Sequence, residues 1–487
     1  MSLLGLPNEL LLEIISKHLD TEREIYAFIR TNRRLYSIGR QELYRFNAAN
    51  NNSRALQFAA GLGNLETVVY AYEYGNAALE ASDVINGNTK PLHLASRAGY
   101  LDIVDFLLAK DVAVNARAGR DRTPLSYAAE KGHVAIVERL LAVDGIDTGM
   151  KDSLGRSPLW WACQAGHLGV VQALLRQEKI DVNSAATSDR TPLFIAAFWN
   201  HADVVKTLLA DDRVDPNLVA GLTVTALMMA CKKRYEQVVR ALLDSPKMEI
   251  QREDHDGRQA LFYAVEENHL GIVDMLLNHG AAIDAPDNSG QTALFMAARN
   301  GLAKMAYHLI TRGAHPSPAS ARGYTPLCWA AHANSASIIK ILLEDPRVDA
   351  NHAAPTGPSP MHIAAVNASE ALEHFLQRDD VDVNCQDSIG RTPLILAVSN
   401  NARMCHIELL LAHGRIDVNI QSKDGSTALV YAAGRGRKGV VKALLGHPRI
   451  DVNLADTEGC TALYWARDGG HEEIADLLVA AGAKERS

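Results

Sequence analysis

The sequence predicts an all-α solenoid, short helix-turn-helix units stacked in line behind a small N-terminal helical unit. Three observations carry that expectation. A short phrase recurs twelve times, cleanest at Thr123-Pro124-Leu125, Thr191-Pro192-Leu193, Thr325-Pro326-Leu327 and Thr392-Pro393-Leu394, each followed after two residues by Ala. Its second position runs from Pro91 through Pro124, Pro158 and Pro192 to Ala428 and Ala462 in steps of 33 to 35 residues, the period of a helical repeat. Between copies, apolar residues follow helical rather than alternating spacing. A chain of 487 residues would ordinarily split into several globular domains, but a repeat of this period extends as one array in which each unit touches its neighbours.

The N-terminal unit, residues 1–48, comes first. Pro7 stands at a helix start, and apolar residues at 10, 11, 14, 15 and 19 mark one face of an amphipathic helix. Segments 22–30 and 33–46 repeat the period. Three helices in so few residues make a core too small to support itself easily. This unit is expected to dock on the first repeat, to bind a partner, or both.

The array, residues 49–487, follows. Its opening repeat, 53–88, is degenerate: Arg54-Ala55-Leu56-Gln57-Phe58-Ala59-Ala60 replaces the recurring phrase, and Tyr70, Tyr72 and Tyr74 stand where a Leu pair belongs. That departure marks it as an interface to what precedes it. About twelve regular repeats follow. In one of them, Ser157 is placed to cap a helix with Pro158 in its first turn, where a missing N–H costs nothing. The helix should end near Gly166, and His167 begins the turn into a second helix whose Val170, Val171, Leu174 and Leu175 form an apolar stripe. The β-branched phrase Ile180-Asp181-Val182-Asn183 then leads onward, and it returns at 214–217, 381–384, 416–419 and 450–453. Such a run reads as the β-hairpin that joins units.

The turn, the T-P-L-H-x-A phrase, the two antiparallel helices and the Gly-His corner resemble the ankyrin repeat, over about nine tenths of the chain. The leader, Leu6-Pro7-Asn8-Glu9-Leu10-Leu11-Leu12-Glu13-Ile14, then Leu19-Asp20, Arg33-Arg34-Leu35-Tyr36 and Leu43-Tyr44, is similar to the F-box that precedes ankyrin arrays in filamentous fungi. Where the third helix of that family carries Cys and Trp, this chain has Thr31-Asn32 and Tyr36. The resemblance implies that Leu6, Pro7, Leu10, Ile14 and Leu19 contact the Skp-type adaptor of a cullin-based ubiquitin ligase, and that a protein target sits on the concave face of the repeats.

Bulk chemistry narrows the function classes. Charged residues make up 22% and the net charge is -8, which disfavours direct nucleic-acid binding. Six cysteines occur without a C-x-x-C pair, fitting neither a disulfide framework nor a zinc ribbon. No secretory leader or membrane-spanning stretch is apparent, so cytoplasm or nucleus is expected. His133, His167, His201, His269 and His471 recur at corners, but one repeat of spacing puts rings roughly 10 Å apart, beyond any shared zinc site; corner hydrogen bonding explains them. Gly434-Arg435-Gly436-Arg437-Lys438-Gly439 lacks the Ser or Thr of a phosphate loop and follows no strand. With no nucleophile elbow or H-E-x-x-H, neither enzymatic activity nor a metal or cofactor is expected, and the chain by itself should be a monomer.

A binding face remains. In the resembled fold, the two residues between the Ala-Ala of the first helix and the Gly-His corner point into the concave face. Here they read Arg97-Ala98, Glu130-Lys131, Gln164-Ala165, Phe198-Trp199, Lys232-Lys233, Glu266-Glu267 and Arg299-Asn300. Phe198 and Trp199 are consecutive aromatics among polar pairs, and large exposed apolar groups are common hot-spot anchors. The next hairpin tip, Leu218-Val219-Ala220-Gly221-Leu222, is also apolar. The candidate surface is therefore Phe198, Trp199 and Leu222, flanked by Lys232 and Lys233. Trp199 leaning sideways to fill a gap between repeats is the alternative. At the level of function, a substrate receptor of a ubiquitin ligase stands against a nuclear transcription co-regulator and a cytoplasmic scaffold.

Overall fold

The structure, a computed structural model, describes residues 6–18, 22–30, 33–50, 53–82, 87–355, 357–367 and 369–484. It forms two compact units, Met1–Glu249 and Ile250–Ser487. Among the described residues, the first holds three leader helices and six helix pairs, and the second holds seven pairs. No helix among them is long and apolar enough to cross a membrane.

One repeat of the first unit shows why the sequence folds this way. Ser157 lies in extended backbone, and its Oγ accepts the Trp160 N–H at 3.2 Å, capping the helix Pro158–Ala165. Gly166 ends it with φ at 76°, a left-handed conformation that favours glycine. The His201 ring of the next repeat lies against this glycine, so a Cβ there would meet it at 2.5 Å. The second helix, Leu168–Leu175, buries Val170, Val171 and Leu174. Stacking on the neighbours is what removes this stripe from water. In the second unit the same grammar holds, with Thr392 capping Pro393–Ser399 through the Ile395 N–H at 3.2 Å.

Two polar devices fasten repeat to repeat. The corner histidines donate from Nε2 to a carbonyl of the preceding repeat: His133 to Arg97 O at 3.1 Å, His167 to Glu130 O and His201 to Gln164 O, both at 3.0 Å. The second device lies in the linking phrase. Asn183 donates to Arg213 O at 2.8 Å and accepts the Asp215 N–H at 3.0 Å. In the second unit Asn384 bonds Arg415 O and the Asp417 N–H in the same way, at 2.8 and 2.9 Å.

The links close as hairpin loops just after that phrase, with little strand: the Asp152, Ala186 and Asp387 N–H groups bond Arg156, Arg190 and Arg391 O at 3.0, 3.0 and 2.9 Å. Among the described residues, one two-stranded hairpin forms, β1 Val219–Ala220 with β2 Val224–Thr225, beside isolated bridges at 118/122 and 455/461. Elsewhere Ile180 and Val182 are buried, but the carboxylate of Asp181 accepts the Asn183 N–H at 3.1 Å and turns the chain. The β-branched residues serve burial rather than a ladder.

The leader consists of α1 Asn8–His18, α2 Glu22–Arg30 and α3 Arg33–Asn50. Ile25 and Ile29 are buried, with Leu43 and Phe46 against them, and Leu11 and Leu35 are buried too. Arg34 ties the start of α1 down, donating to Leu6 O and Asn8 Oδ1, both at 2.8 Å. Helix α3 runs past the expected boundary at 48 and packs on the first repeat, formed by α4 Arg54–Leu62 and α5 Leu65–Glu73. The Arg40 guanidinium lies 3.4 Å from the Tyr70 ring centroid and bonds Glu66 at 2.9 Å. Arg45 donates to Tyr74 O at 3.1 Å, and Asn47 accepts the Ala55 N–H at 2.7 Å. Tyr70 of the degenerate repeat thus faces the leader, whereas the Tyr72 ring lies edge-on to Phe106 of the next repeat, centroids 5.9 Å apart.

Candidate functional site

The candidate surface is built on one helix end. Thr191 caps Pro192–Phe198 by accepting the Phe194 N–H at 3.1 Å, and Leu193, Phe194 and Ile195 go into the core. The last residue, Phe198, is partly buried. Asn200, at φ 64°, takes the corner position held by Gly166 one repeat earlier. Trp199 is 50% exposed and stands edge-on to Phe198, with ring centroids 5.5 Å apart at 77°. Half its surface stays in water, so it is not a closed spacer between repeats.

The flanking groups divide. Lys233 places Nζ 4.9 Å from the Phe198 ring centroid, within cation–π range. Lys232 is exposed at the end of its helix, Ala226–Lys232. Leu222 is 67% exposed at the tip of the β1–β2 hairpin. The neighbouring Gly221 N–H bonds Ser188 O at 3.0 Å, which joins that tip to the loop before Thr191.

Sequence reasoning passed over a fourth group, Arg190, whose guanidinium carbon is 5.9 Å from the Phe198 centroid. An arginine recurs at this place, immediately before the helix cap, at 122, 156, 190, 258 and 391. Arg156, Arg258 and Arg391 each pair with an aspartate four residues earlier, at 2.8, 3.0 and 2.9 Å. Arg122 pairs instead with Glu130 and lies 4.0 and 4.1 Å from the Tyr127 and Trp161 rings. Burial alone would raise the Glu130 carboxyl, but hydrogen bonding and charge from Arg122 outweigh it and hold it below its ordinary value. The signal for Arg190 was in the sequence: Ala186 stands four residues before it and Phe198 eight after. Neither Arg190 nor Lys233 has a carboxylate partner among the described residues.

Two of the leader candidates lie outward. Pro7 is exposed, Leu10 is 46% exposed, and Leu6 and Ile14 are partly buried. Among the described side chains of α1, Leu11 enters the core. Leu19 lies outside the described residues.

The nearest approach to catalytic geometry is a cluster of Ser359, His362 and Cys385. Ser359 Oγ is 2.8 Å from His362 Nδ1, and the Cys385 sulfur is 3.7 Å from the same nitrogen. Burial pushes the Cys385 thiol up to about 11 and holds His362 below its usual value, the reverse of an activated thiolate pair. His362 Nε2 donates to Arg391 O at 2.8 Å, so this histidine is a joint between repeats. Asp254, His255 and Asp256 bring ligand atoms close together. Asp254 is already occupied by Arg258 and by the Tyr263 hydroxyl at 2.5 Å, which leaves two exposed groups. The phosphate-loop-like stretch is a helix corner in which Arg437 donates to Val398 O and Ala402 O at 3.2 and 2.7 Å.

A family model described as ankyrin repeats (three copies) matches residues 35–118, 125–220, 214–287, 283–354, 361–456 and 405–486. The Neurogenic locus Notch protein of Drosophila melanogaster is 37% identical over 87 residues, 18% of this chain and 3% of that protein. A probable E3 ubiquitin-protein ligase of Oryza sativa subsp. japonica is 35% identical over 83 residues, 17% of this chain and 16% of that protein. The chain therefore spans a minor part of the length of these relatives. Among solved structures, the ankyrin repeat domain of Bcl-3 is 28% identical and covers 45% of this chain and 98% of its own, with a TM-score of 0.43.

Proposed function

The chain belongs to the ankyrin-repeat family, and from that premise we propose that it is the substrate-receptor subunit of a cullin-type ubiquitin ligase. Ankyrin repeats serve protein-protein interaction, so the array acts by binding rather than by catalysis. In this reading the leader engages a Skp-type adaptor through Pro7, Leu10 and Ile14, and the inner helices hold the target. The observation that carries it is the division of labour within the leader. Its third helix is fastened to the first repeat through Arg40, Arg45 and Asn47, while Pro7 and Leu10 of the first remain outward. The rice relative named as a ubiquitin-protein ligase accords with it.

A second reading has its own support. The family match begins at residue 35, inside α3, which suits a leader that only covers the first repeat of a nuclear co-regulator or cytoplasmic scaffold. One experiment separates the two. Leu10→Asp with Ile14→Asp puts carboxylates on the proposed contact face, where docking would strip them of water without a partner. Loss of adaptor in a pull-down, with an unchanged melting temperature, supports the ligase reading. Equal adaptor recovery with parent and variant sinks it, and a lowered melting temperature favours the covering role.

A further inference from the structure

We propose that the Phe198–Trp199 corner takes an acidic segment of a partner protein, its carboxylates on Arg190 and Lys233 and an apolar side chain against Trp199. This rests on the array being a protein-binding surface and names the chemistry of what it binds.

The argument starts from a broken pattern. At 122, 156, 258 and 391 the pre-cap arginine is neutralised within the chain, by an aspartate four residues before it or, at Arg122, by Glu130 eight residues after. At Arg190 both positions have changed: Ala186 replaces the aspartate and Phe198 the glutamate. Arg190 is exposed. The adjacent Asp189 makes no ion pair with it, and Lys233 approaches the same ring from the following repeat without a carboxylate of its own. Two cations thus flank one aromatic ring, and a half-exposed indole stands beside them.

An unpaired guanidinium at an apolar edge is a fitting place for a bidentate carboxylate. Aromatic surface beside it excludes water and strengthens such a contact. Charge complementarity therefore selects an acidic chain with an embedded apolar residue over a basic or purely apolar one. Leu222, on the hairpin joined to the same loop, extends the apolar part.

The test is selection of a displayed random peptide library on the immobilised full chain, followed by binding of the enriched peptides to purified protein. Peptides with Asp or Glu on both sides of one large apolar residue are expected. Arg190→Glu with Lys233→Glu should weaken them at least tenfold, and Trp199→Ala at least fivefold, with melting temperatures unchanged for both. Asn and Gln versions of the peptides should lose binding, and the parent's affinity should fall as salt rises. Enriched peptides without acidic residues, or acidic ones bound equally by the charge-reversed variant, overturn this inference and leave the protein-binding reading standing. Failure to enrich any peptide counts against both. Self-association abolished by the charge reversal would make a second copy the occupant, and binding only by phosphoserine versions would replace carboxylate with phosphate; either result overturns the proposal as stated.

Discussion

The leader and the array are held by different means. Within the array, repeats meet through apolar stripes such as Val170, Val171 and Leu174 and through recurring bonds to backbone, from His167 to the preceding unit and from Asn183 to the next. Where the leader meets the array, the contact is made by long side chains that occur once: Arg40 on Tyr70 and Glu66, and Arg45 on Tyr74 O. A repeated backbone-directed bond can be propagated along an array without change. The leader joint is an individual solution, and it is expected to be the weaker one, because its ion pair ends on Glu66, largely in water, where such a pair contributes little.

The sharpest way to break this comparison is to remove equal volume from both sides. Leu174→Ala deletes a fully buried side chain in the array and should cost about 2–5 kcal/mol. Ile29→Ala does the same inside the leader's own small core. Chemical denaturation followed by hydrogen exchange should show the first lowering the main transition and the second opening only residues of the leader. Equal loss of the main transition would make the leader an integral part of the array. Leu478→Ala, buried in the last helix, Glu472–Ala480, should open the terminal repeat ahead of the middle if contacts are nearest-neighbour.

Acid should also strain the array. Burial depresses the His93 pKa from 6.5 to about 4, and its imidazole is used as a neutral ring, Nδ1 accepting the Lys90 N–H and Nε2 donating to Ala116 O. The unfolded chain binds a proton at this residue below about pH 6.5 and the native one does not, so stability is full above that value and falls as pH drops toward 4. The loss is about 3 kcal/mol at most. His93→Gln, which removes the titration, should flatten this part of the pH profile in melting experiments. An equally steep profile in the variant would place the acid sensitivity elsewhere, with His362 the next residue to replace.

A smaller effect tests whether the asparagine joints matter. Asn183→Ala removes two bonds to backbone, both near the surface, and should cost about 1 kcal/mol. Asn384→Ala should cost the same in the second unit. No measurable change from either would leave apolar stacking as the whole of the repeat-to-repeat linkage.

The recurring parts of this molecule were the legible ones. Periodicity located the helices, and segment 22–30 coincides with α2. The asparagine of each linking phrase recurs as visibly as the prolines, but its neighbours Ile180 and Val182 read as strand, and alternation cannot separate burial in a turn from burial in a ladder. Arg190 needed a different comparison, of what stands four residues before and eight after each pre-cap arginine. The leader joint was legible only in part: the tyrosines of the degenerate repeat marked an interface, but Arg40 and Glu66 are 26 residues apart and a single non-local pair leaves no period.

The smallest expected effect concerns that joint. Arg40→Ala removes a guanidinium stacked on Tyr70 and its bond to Glu66. Glu66 is largely in water, so the ion pair is worth little, and the stacking adds about 0.5–1 kcal/mol. Global melting should shift by a degree or two, while amide exchange in α3 and around Tyr74 should speed up several-fold, since a joint made of few side chains opens without the array. Arg40→Lys should rescue only part of this, because an ammonium keeps the charge and loses the planar stack. If Arg40→Ala instead released α1, α2 and α3 together to limited proteolysis with repeats 87–249 still protected, the leader would be a separately hinged module hung on one residue. If exchange in α3 stayed unchanged, apolar contacts between α3 and α5, rather than Arg40, hold it.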